Sequence, residues 1–313
     1  MKEEINYSVV ISVFNSSDTI SVLANRIHKV FSEYTPPQSY EIIFVNDGST
    51  NPETKKALEE VQKTNPNIHV IELTRNFGQQ AATLCGIKHA RGNFIITMDD
   101  DLQHNPEDIP SLIKMQHHDI VIGNFKESKH SLDRRIGSQI KNYFDWLLLD
   151  KPKHIKLSSF RLINRVIAEN MLKIETPFPY IPALLLYISK DLVNADVGHQ
   201  KRMSGKSGYS LGKQLRLISN LLINNSSLLL KLIAISGIMV SIMSFSFMIY
   251  FLVKKIFFGI PIIGWTSLMF TITCIGGVLL FSVGILGEYL IRIVKGVEKR
   301  PMYIIRHQSK YHS

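Results

Sequence analysis

From Leu228 to Val253 the chain reads LLLKLIAISGIMVSIMSFSFMIYFLV, an apolar run whose single charge, Lys231, lies near its start. Wound as a helix at about 1.5 Å per residue, it exceeds the roughly 30 Å hydrocarbon core of a bilayer and predicts a spanning helix. A short connection, KKIFFGIPIIG, leads to a second apolar run from Trp265 to Ile291, so the pair reads as a helical hairpin. Gly276, Gly277, Gly284 and Gly287 in the second run would let the two helices approach closely, and they are compatible with self-association into a homo-oligomer. Basic residues gather outside the hairpin: Lys213, Arg216 and Lys231 before or at the first span, then Arg292, Lys295, Lys299, Arg300, Arg306 and Lys310 after the second, with only Lys254 and Lys255 between. That bias places both termini on the cytoplasmic face of the inner membrane, and no signal peptide precedes Tyr7. Glu288 has Arg292 four residues on and reads as half of a structural ion pair. The other reading of the two runs is a pair of buried helices in a soluble domain.

Composition narrows the remaining classes. Two cysteines in 313 residues, Cys85 and Cys274, cannot build a disulfide scaffold or a four-ligand zinc site. Residues 1–110 hold 9 Lys/Arg against 15 Asp/Glu, whereas residues 111–313 hold 27 against 11. The basic rear half carries no zinc-finger spacing, basic-region heptad or aromatic RNA-binding signature, so anionic lipid is the expected partner and nucleic acid is not.

The front of the chain is written differently. Residues 7–14, 40–46, 68–73 and 94–98 are short β-rich apolar runs separated by helical patterns of 12 to 16 residues, which predicts an α/β domain with a mostly parallel sheet and helices on both faces. Asn51-Pro52-Glu53 and Asn105-Pro106-Glu107 each supply an Asn cap, a proline at the first helical position and an early carboxylate, so both mark helix starts. Ligands of such sheets bind beyond the carboxyl ends of the strands, and the loops after Phe14, Asn46 and Met98 should line one crevice.

Those loops carry chemistry. In NDGST, Asp47 can accept from a base or ribose, although Asp-Gly turns are also common for local reasons. In DDDLQH, Asp99, Asp100 and Asp101 crowd like charges whose repulsion a divalent cation would relieve, and oxygen ligands suit Mg²⁺ or Mn²⁺; the bland alternative is a solvated acidic turn. Mg²⁺ is commonly held by one or two carboxylates plus substrate phosphates, which points to a nucleoside diphosphate. Neither GxGxxG nor GxxxxGK[ST] is present, so phosphate recognition falls to metal and basic side chains. The stretch HQKRMSGKSGYSLGK offers Arg202, Lys206, Ser207 and Tyr209 as an anion clamp, or equally as a basic linker drawn to lipid headgroups. Residues 134–150 place Ile136, Ile140, Tyr143, Phe144, Leu147 and Leu148 on one helical face behind Arg134 and Arg135, the pattern of an interfacial helix or of an ordinary core-facing one. The expected organisation is a domain over 1–212, a juxtamembrane amphipathic helix over 213–227, spans over 228–253 and 265–291, and a cytoplasmic tail over 295–313.

The order SVFN, VNDGST, LTRNFGQQAATLCGI, MDDDLQHNPEDIP, SSFRLINR, RMSGKSGYS, GWTSL, GEYLIRI and KRPMYII resembles the inverting family 2 polyprenyl-phosphate glycosyltransferases, in particular the bacterial undecaprenyl-phosphate branch of the dolichyl-phosphate mannose synthase-like enzymes. The resemblance runs from Tyr7 to Ile305. It implies a GT-A fold, a nucleotide-sugar donor (a UDP-sugar by family frequency, with guanine the other base), a divalent metal and a polyprenyl phosphate acceptor. Carried over by motif, Asp99, Asp101 and Gln103 would hold the metal and donor diphosphate, and Asp47 with the backbone around Val13 and Asn15 would bind the nucleoside. Asp100 falls in the same nucleotide-sugar site. Arg202, Ser207 and Tyr209 would grip phosphate, and Arg134 stands where the family places a basic residue near the acceptor phosphate. Three positions depart from the pattern: Ser12-Val13-Phe14-Asn15-Ser16 replaces Pro-x-Tyr-Asn-Glu, Asn51 replaces an acidic residue, and Ser159 replaces the Asp before Phe-Arg-Leu that is proposed as a base. A phosphate monoester is largely dianionic at neutral pH and needs no base to attack. The processive synthases of the family carry a Gln-x-x-Arg-Trp motif that is missing here. The alternative is a catalytically decayed, membrane-anchored scaffold that binds nucleotide-sugar, motivated by Ser159 and Asn51.

Overall fold

The computed structural model describes residues 5–36, 38–125, 151–152, 154–176, 179–198, 264–298 and 300–309, with isolated helical positions between 235 and 257. The chain divides into two units, Met1–Gly208 with Arg300–Ser313, and Tyr209–Lys299.

In the first unit the four apolar runs are strands β1 (Tyr7–Val13), β2 (Tyr40–Asn46), β3 (Ile68–Leu73) and β4 (Phe94–Asp99). Helices α1 (Ile20–Glu33), α2 (Pro52–Thr64) and α3 (Gln79–His89) follow the first three in turn. β1 pairs in parallel with both β2 and β4, and β2 with β3. The chain therefore winds outward through β2 and β3, then returns to the other side of β1, which makes the β1/β4 junction a switch point where a crevice opens beyond the strand ends.

The rest of the sheet was not visible in the apolar runs. Helix α4 (Ile109–Ile113) and strand β5 (Ile120–Phe125) follow, then β6 (Arg161–Asn164), α5 (Arg165–Leu172), α6 (Ile181–Ile188) and β7 (Leu192–Val197). β6 lies antiparallel between β4 and β5, and β5 pairs in parallel with β7. A last strand, β8 (Ile305–Gln308), pairs antiparallel with β3, and the order across the described sheet is β7-β5-β6-β4-β1-β2-β3-β8. The expected mostly parallel α/β sheet is present, mixed by β6 and β8.

Alternation along the strands builds a core on each face. Ile20, Leu23, Ala24, Ile27 and Phe31 fall on one side of α1 and pack with Val9, Ile11 and Val13 of β1. The intervening Val10 joins Ile43, Val45 and the buried face of α3 on the other side. A Cβ at Gly86 would lie 2.3 Å from Val10 Cγ1, so α3 sits closer to β1 than any side chain permits. At the amino-terminal end of the sheet Glu41, 1% exposed, accepts from Ser8 Oγ at 2.7 Å, Arg91 N at 2.7 Å and Arg91 Nε at 2.9 Å, a satisfied buried carboxylate remote from the strand ends that form the crevice.

The helix-start signals are half fulfilled. Asn51 Oδ1 accepts from Glu53 N at 3.0 Å and caps α2. Asn105 precedes a 3₁₀ turn, Pro106–Asp108, but makes no side-chain cap, because its Oδ1 accepts from Arg26 Nη2 of α1. The stretch read as a tail is corrected more fully: Thr74 N donates to Ile304 O, Ser309 N to Val70 O and Arg306 Nη2 to Thr74 O, so its residues 304–309 close the edge of the sheet. Tyr303 donates to Cys85 Sγ, whose thiol burial pushes up to about 12.

In the second unit α7 (Trp265–Val297) is one helix of 33 residues, six longer than the apolar run, since nothing breaks it before Pro301. Most of its described apolar side chains, among them Leu268, Ile272, Leu279, Phe281, Val283, Leu286 and Leu290, are exposed, while Ile275 and Ile285 are partly buried. Over the described residues alone, no helix is long and apolar enough to cross a membrane. Most of the first expected span, the juxtamembrane helix over 213–227, the interfacial helix over 134–150 and the side chains of Glu288 and Arg292 lie outside the described residues. The close approach expected at Gly276, Gly277, Gly284 and Gly287 is to that first span and so falls outside the described residues as well.

Candidate active site

Three loops meet at the carboxyl ends of β1, β2 and β4. Val13 ends β1 fully buried, and its carbonyl accepts from Asp47 N at 2.9 Å. Asn15 follows in the left-handed region, φ 57°, where its own amide reaches Ser49 Oγ at 2.9 Å. The Asn15 side-chain oxygen then accepts from Thr50 N at 2.9 Å and Asn51 N at 3.0 Å. Asn15 thus ties the β1 loop to the β2 loop, a role in the architecture of the crevice that its motif did not disclose.

Asp47 is equally committed. It is 2% exposed, and its two oxygens accept from Phe77 N at 2.7 Å and Gly78 N at 2.9 Å. Burial raises its pKa, an effect opposed by those two N–H donors and by Arg75. Gly48 stands at φ 64°, and a Cβ there would come within 2.3 Å of Arg75 C, so the 74–78 loop presses directly on this turn. Arg75 itself lies over the Phe77 ring, 4.2 Å from the centroid. The loop belongs to the site, although in the sequence it was only part of a long motif.

The acidic run sits where β4 ends. Asp99 Oδ1 accepts from Gln79 Nε2 at 2.6 Å and Oδ2 from Ser159 Oγ at 2.7 Å. His104, 5% exposed and flanked by the rings of Phe125 and Phe160, accepts from Asp99 N through Nδ1 at 3.0 Å. Nδ1 therefore carries no proton, and Nε2 faces Asp99 Oδ2 at 3.7 Å. Asp100 turns to the β1 loop, where the Ser16 hydroxyl and Phe14 amide donate to it; burial, reinforced by Asp99 and Asp101, raises its pKa to about 6. Asp101 Oδ1 accepts from Gln103 N at 3.1 Å. Between them Leu102 is 2% exposed at φ 60°, a left-handed conformation that a leucine rarely adopts; its burial plugs the turn into the core and leaves Asp101 and Gln103 at the crevice.

Ser159 introduces a residue the sequence did not single out. Arg161, at the start of β6, pairs with Thr97 of β4 and Ile122 of β5, and is 4% exposed. Its Nε has no hydrogen-bond partner. Burial lowers its pKa to about 10, against the influence of Asp99 and Tyr180.

Among the described residues no group of three or more His, Cys, Asp or Glu gathers to hold a metal ion. The donor set nevertheless fits Mg²⁺ or Mn²⁺: carboxylate and carboxamide oxygens alone, three consecutive carboxylates whose crowding a cation would relieve, and phosphate oxygens to complete the shell. Arg134, Arg202, Lys206, Ser207 and Tyr209, the expected phosphate and lipid contacts, lie outside the described residues.

This sheet matches the crystal structure of glucosyl-3-phosphoglycerate synthase from Mycobacterium tuberculosis in complex with Mn²⁺, UDP and glucosyl-3-phosphoglycerate, with a TM-score of 0.54 and 15% identity over 71% of this chain and 80% of that one. That likeness concerns the fold, a GT-A-like α/β arrangement. Sequence similarity extends further. The chain is 30% identical to an undecaprenyl-phosphate 4-deoxy-4-formamido-L-arabinose transferase of Photorhabdus laumondii, covering 96% of this chain and 93% of the relative. It is also 30% identical to the SfII prophage-derived bactoprenol glucosyl transferase of Shigella flexneri, covering 97% and 98%. Residues 8–172, more than half of the chain and the part that holds Val13, Asp47, Asp99 to Gln103, Ser159 and Arg161, match the model for glycosyl transferase family 2. With the crevice, its acidic turn and these full-length relatives in agreement, the chain belongs to glycosyl transferase family 2.

Proposed function

We propose that this glycosyltransferase moves a sugar from a nucleotide-sugar, a UDP-sugar in the first instance, to undecaprenyl phosphate, inverting the anomeric centre. The observation that carries the reading is the acidic turn Asp99–Gln103 at the switch point of the sheet, beside the braced Asp47 loop. Full-length similarity to transferases named for undecaprenyl phosphate and bactoprenol supports the choice of acceptor.

The reaction is a single displacement. An oxygen of the acceptor phosphate bonds to the anomeric carbon, the bond from that carbon to the diphosphate breaks, and its electron pair leaves with the nucleoside diphosphate. Asp99, Asp101 and Gln103 are the residues that would hold the divalent ion, which would offset charge on the departing diphosphate. Arg134, Arg202, Lys206, Ser207 and Tyr209 are the candidates for gripping phosphate. Ser159 stands in place of the family's Asp and spends its hydroxyl on Asp99. A base is not required, because the acceptor's second pKa near about 6 leaves it dianionic at neutral pH.

The same reading places the enzyme on the cytoplasmic membrane, anchored by a hairpin over 228–253 and 265–291, with the catalytic domain and both termini cytoplasmic. Its support is the length of the two apolar runs and the exposed apolar side chains along the 33-residue α7. The test is transfer by the purified protein in detergent from radiolabelled UDP- and GDP-sugars to undecaprenyl phosphate with Mg²⁺, Mn²⁺ or EDTA. A lipid-linked product from one donor, lost with EDTA, is expected. Tight nucleotide binding with no product from any donor would instead favour the decayed scaffold.

A further inference from the structure

Buried charges elsewhere in the first unit, among the described residues, are met in an ordinary way. Buried Glu41 is paired with the exposed Arg91, and Lys151, 4% exposed, donates to Ile155 O at 2.6 Å. Arg161 is the exception. It is as buried as Lys151, yet its Nε, one of three nitrogens that share five N–H donors, is buried without a hydrogen-bond partner. A native interior rarely leaves such a group without an acceptor.

Its place makes the omission informative. Arg161 pairs with Thr97, two residues before Asp99 on β4, so the alternation of the strand sets both side chains on the face that Arg161 shares. Two residues before Arg161, Ser159 bonds Asp99 with a neutral hydroxyl. An acidic residue at 159 would have offered Arg161 a counter-charge in this corner; serine offers none. The titratable groups whose charge reaches the guanidinium are Asp99 and Tyr180, at the start of α6. Nε is buried and unpartnered, and a guanidinium fork is the geometry that meets two oxygens of one phosphate.

We propose that Arg161 is the seat of a phosphate group at the Asp99 end of the crevice, its guanidinium completed by ligand oxygens. The transferase reading supplies two sources for that phosphate, the acceptor's monoester and the donor's diphosphate, and naming them rests on that reading. The anion seat itself does not.

The test uses full-length protein in detergent, with wild type compared to Arg161→Met and Arg161→Lys. Thermal unfolding is followed against inorganic phosphate, a short-chain prenyl phosphate and UDP with Mg²⁺, and KM is measured for donor and acceptor. Methionine fills the site without charge, so the free variant is expected to melt at or above the wild-type temperature while its phosphate-dependent shift is lost. Lysine keeps the charge without the fork, and affinity about tenfold weaker than wild type is expected, as for a lost charge-assisted hydrogen bond. Loss toward inorganic and prenyl phosphate, with raised acceptor KM, assigns the acceptor monoester; loss toward UDP, with raised donor KM, assigns the diphosphate. A folded Arg161→Met protein that binds all three probes as wild type does would overturn the proposal. If that variant does not fold, unchanged binding by Arg161→Lys would overturn it. Should phosphate binding depend on Arg161 while wild type transfers no sugar from any donor, the seat stands and the transferase reading falls.

Discussion

At Gly48 a single hydrogen atom in place of a side chain decides whether the β2 loop and the 74–78 loop can meet. With φ at 64° and Arg75 C where a Cβ would lie at 2.3 Å, Gly48→Ala must both strain the turn and displace a backbone. Chemical denaturation should show a loss of about 2–4 kcal/mol, and donor KM should rise because Asp47 loses its register with Phe77 and Gly78. Ser159 makes a sharper test of chemistry. Its hydroxyl donates to Asp99, and in the proposed mechanism it takes no proton from the acceptor, so Ser159→Ala should lower kcat about tenfold, the scale of one hydrogen bond to a charged group, while leaving the shape of the pH–rate profile unchanged. A loss of the acidic limb in that profile would assign Ser159 to proton transfer. What the sequence could tell about these residues was their type and neighbourhood. It could not tell that both oxygens of Asp47 are taken by backbone, that Asn15 serves the neighbouring loop, or that Arg161 is buried near Asp99 with its Nε unpartnered, because each depends on segments brought together from 30 to more than 60 positions apart.

Elements were legible where local signals suffice. β1 to β4 are apolar runs bounded by turn residues, and Asn51-Pro52 caps α2 as written. Asn105 shows the limit: the same three-residue signal is overridden by Arg26 of α1, which takes the capping oxygen and also binds Glu107. This clasp holds Glu107 below the usual carboxylate range, through the Arg26 hydrogen bond first and against partial burial. A depressed folded pKa contributes stability above the unfolded value of about 4.3 that is lost as pH falls through the folded one. Glu107→Gln should therefore be less stable than wild type at pH 7, by no more than about 1 kcal/mol for a half-exposed pair, and the gap should close below about pH 4 in urea titrations. Strand β8 was invisible for another reason. Four residues of mixed polarity carry no strand signal, and their partner β3 lies more than 230 positions away. Exposed Arg306 fastens Thr74 at the root of the Arg75–Gly78 loop. Arg306→Ala should leave thermal stability nearly unchanged but raise donor KM about three- to tenfold with acceptor KM unaltered, as expected for one neutral-acceptor hydrogen bond. Equal effects on both KM values would remove β8 from the donor site.

Across the whole molecule, the excursion Tyr209–Lys299 is inserted within the unit that holds the sheet, whose chain is completed only by Arg300–Ser313. The division between a chemistry-bearing front and an apolar rear was plain in the sequence, because charge and hydropathy are properties of long windows. The return of the chain to the sheet was not, since it is a matter of topology. The central claim is that the turn at the end of β4 makes this protein a polyprenyl-phosphate glycosyltransferase. It is tested most directly by transfer of labelled sugar to undecaprenyl phosphate by wild type and by folded Asp101→Ala, in parallel with Mg²⁺ present. The account predicts lipid-linked sugar from wild type and a rate lower by at least about a hundredfold from the variant, as when a group stabilising transition-state charge is removed. Full transfer by Asp101→Ala would contradict it.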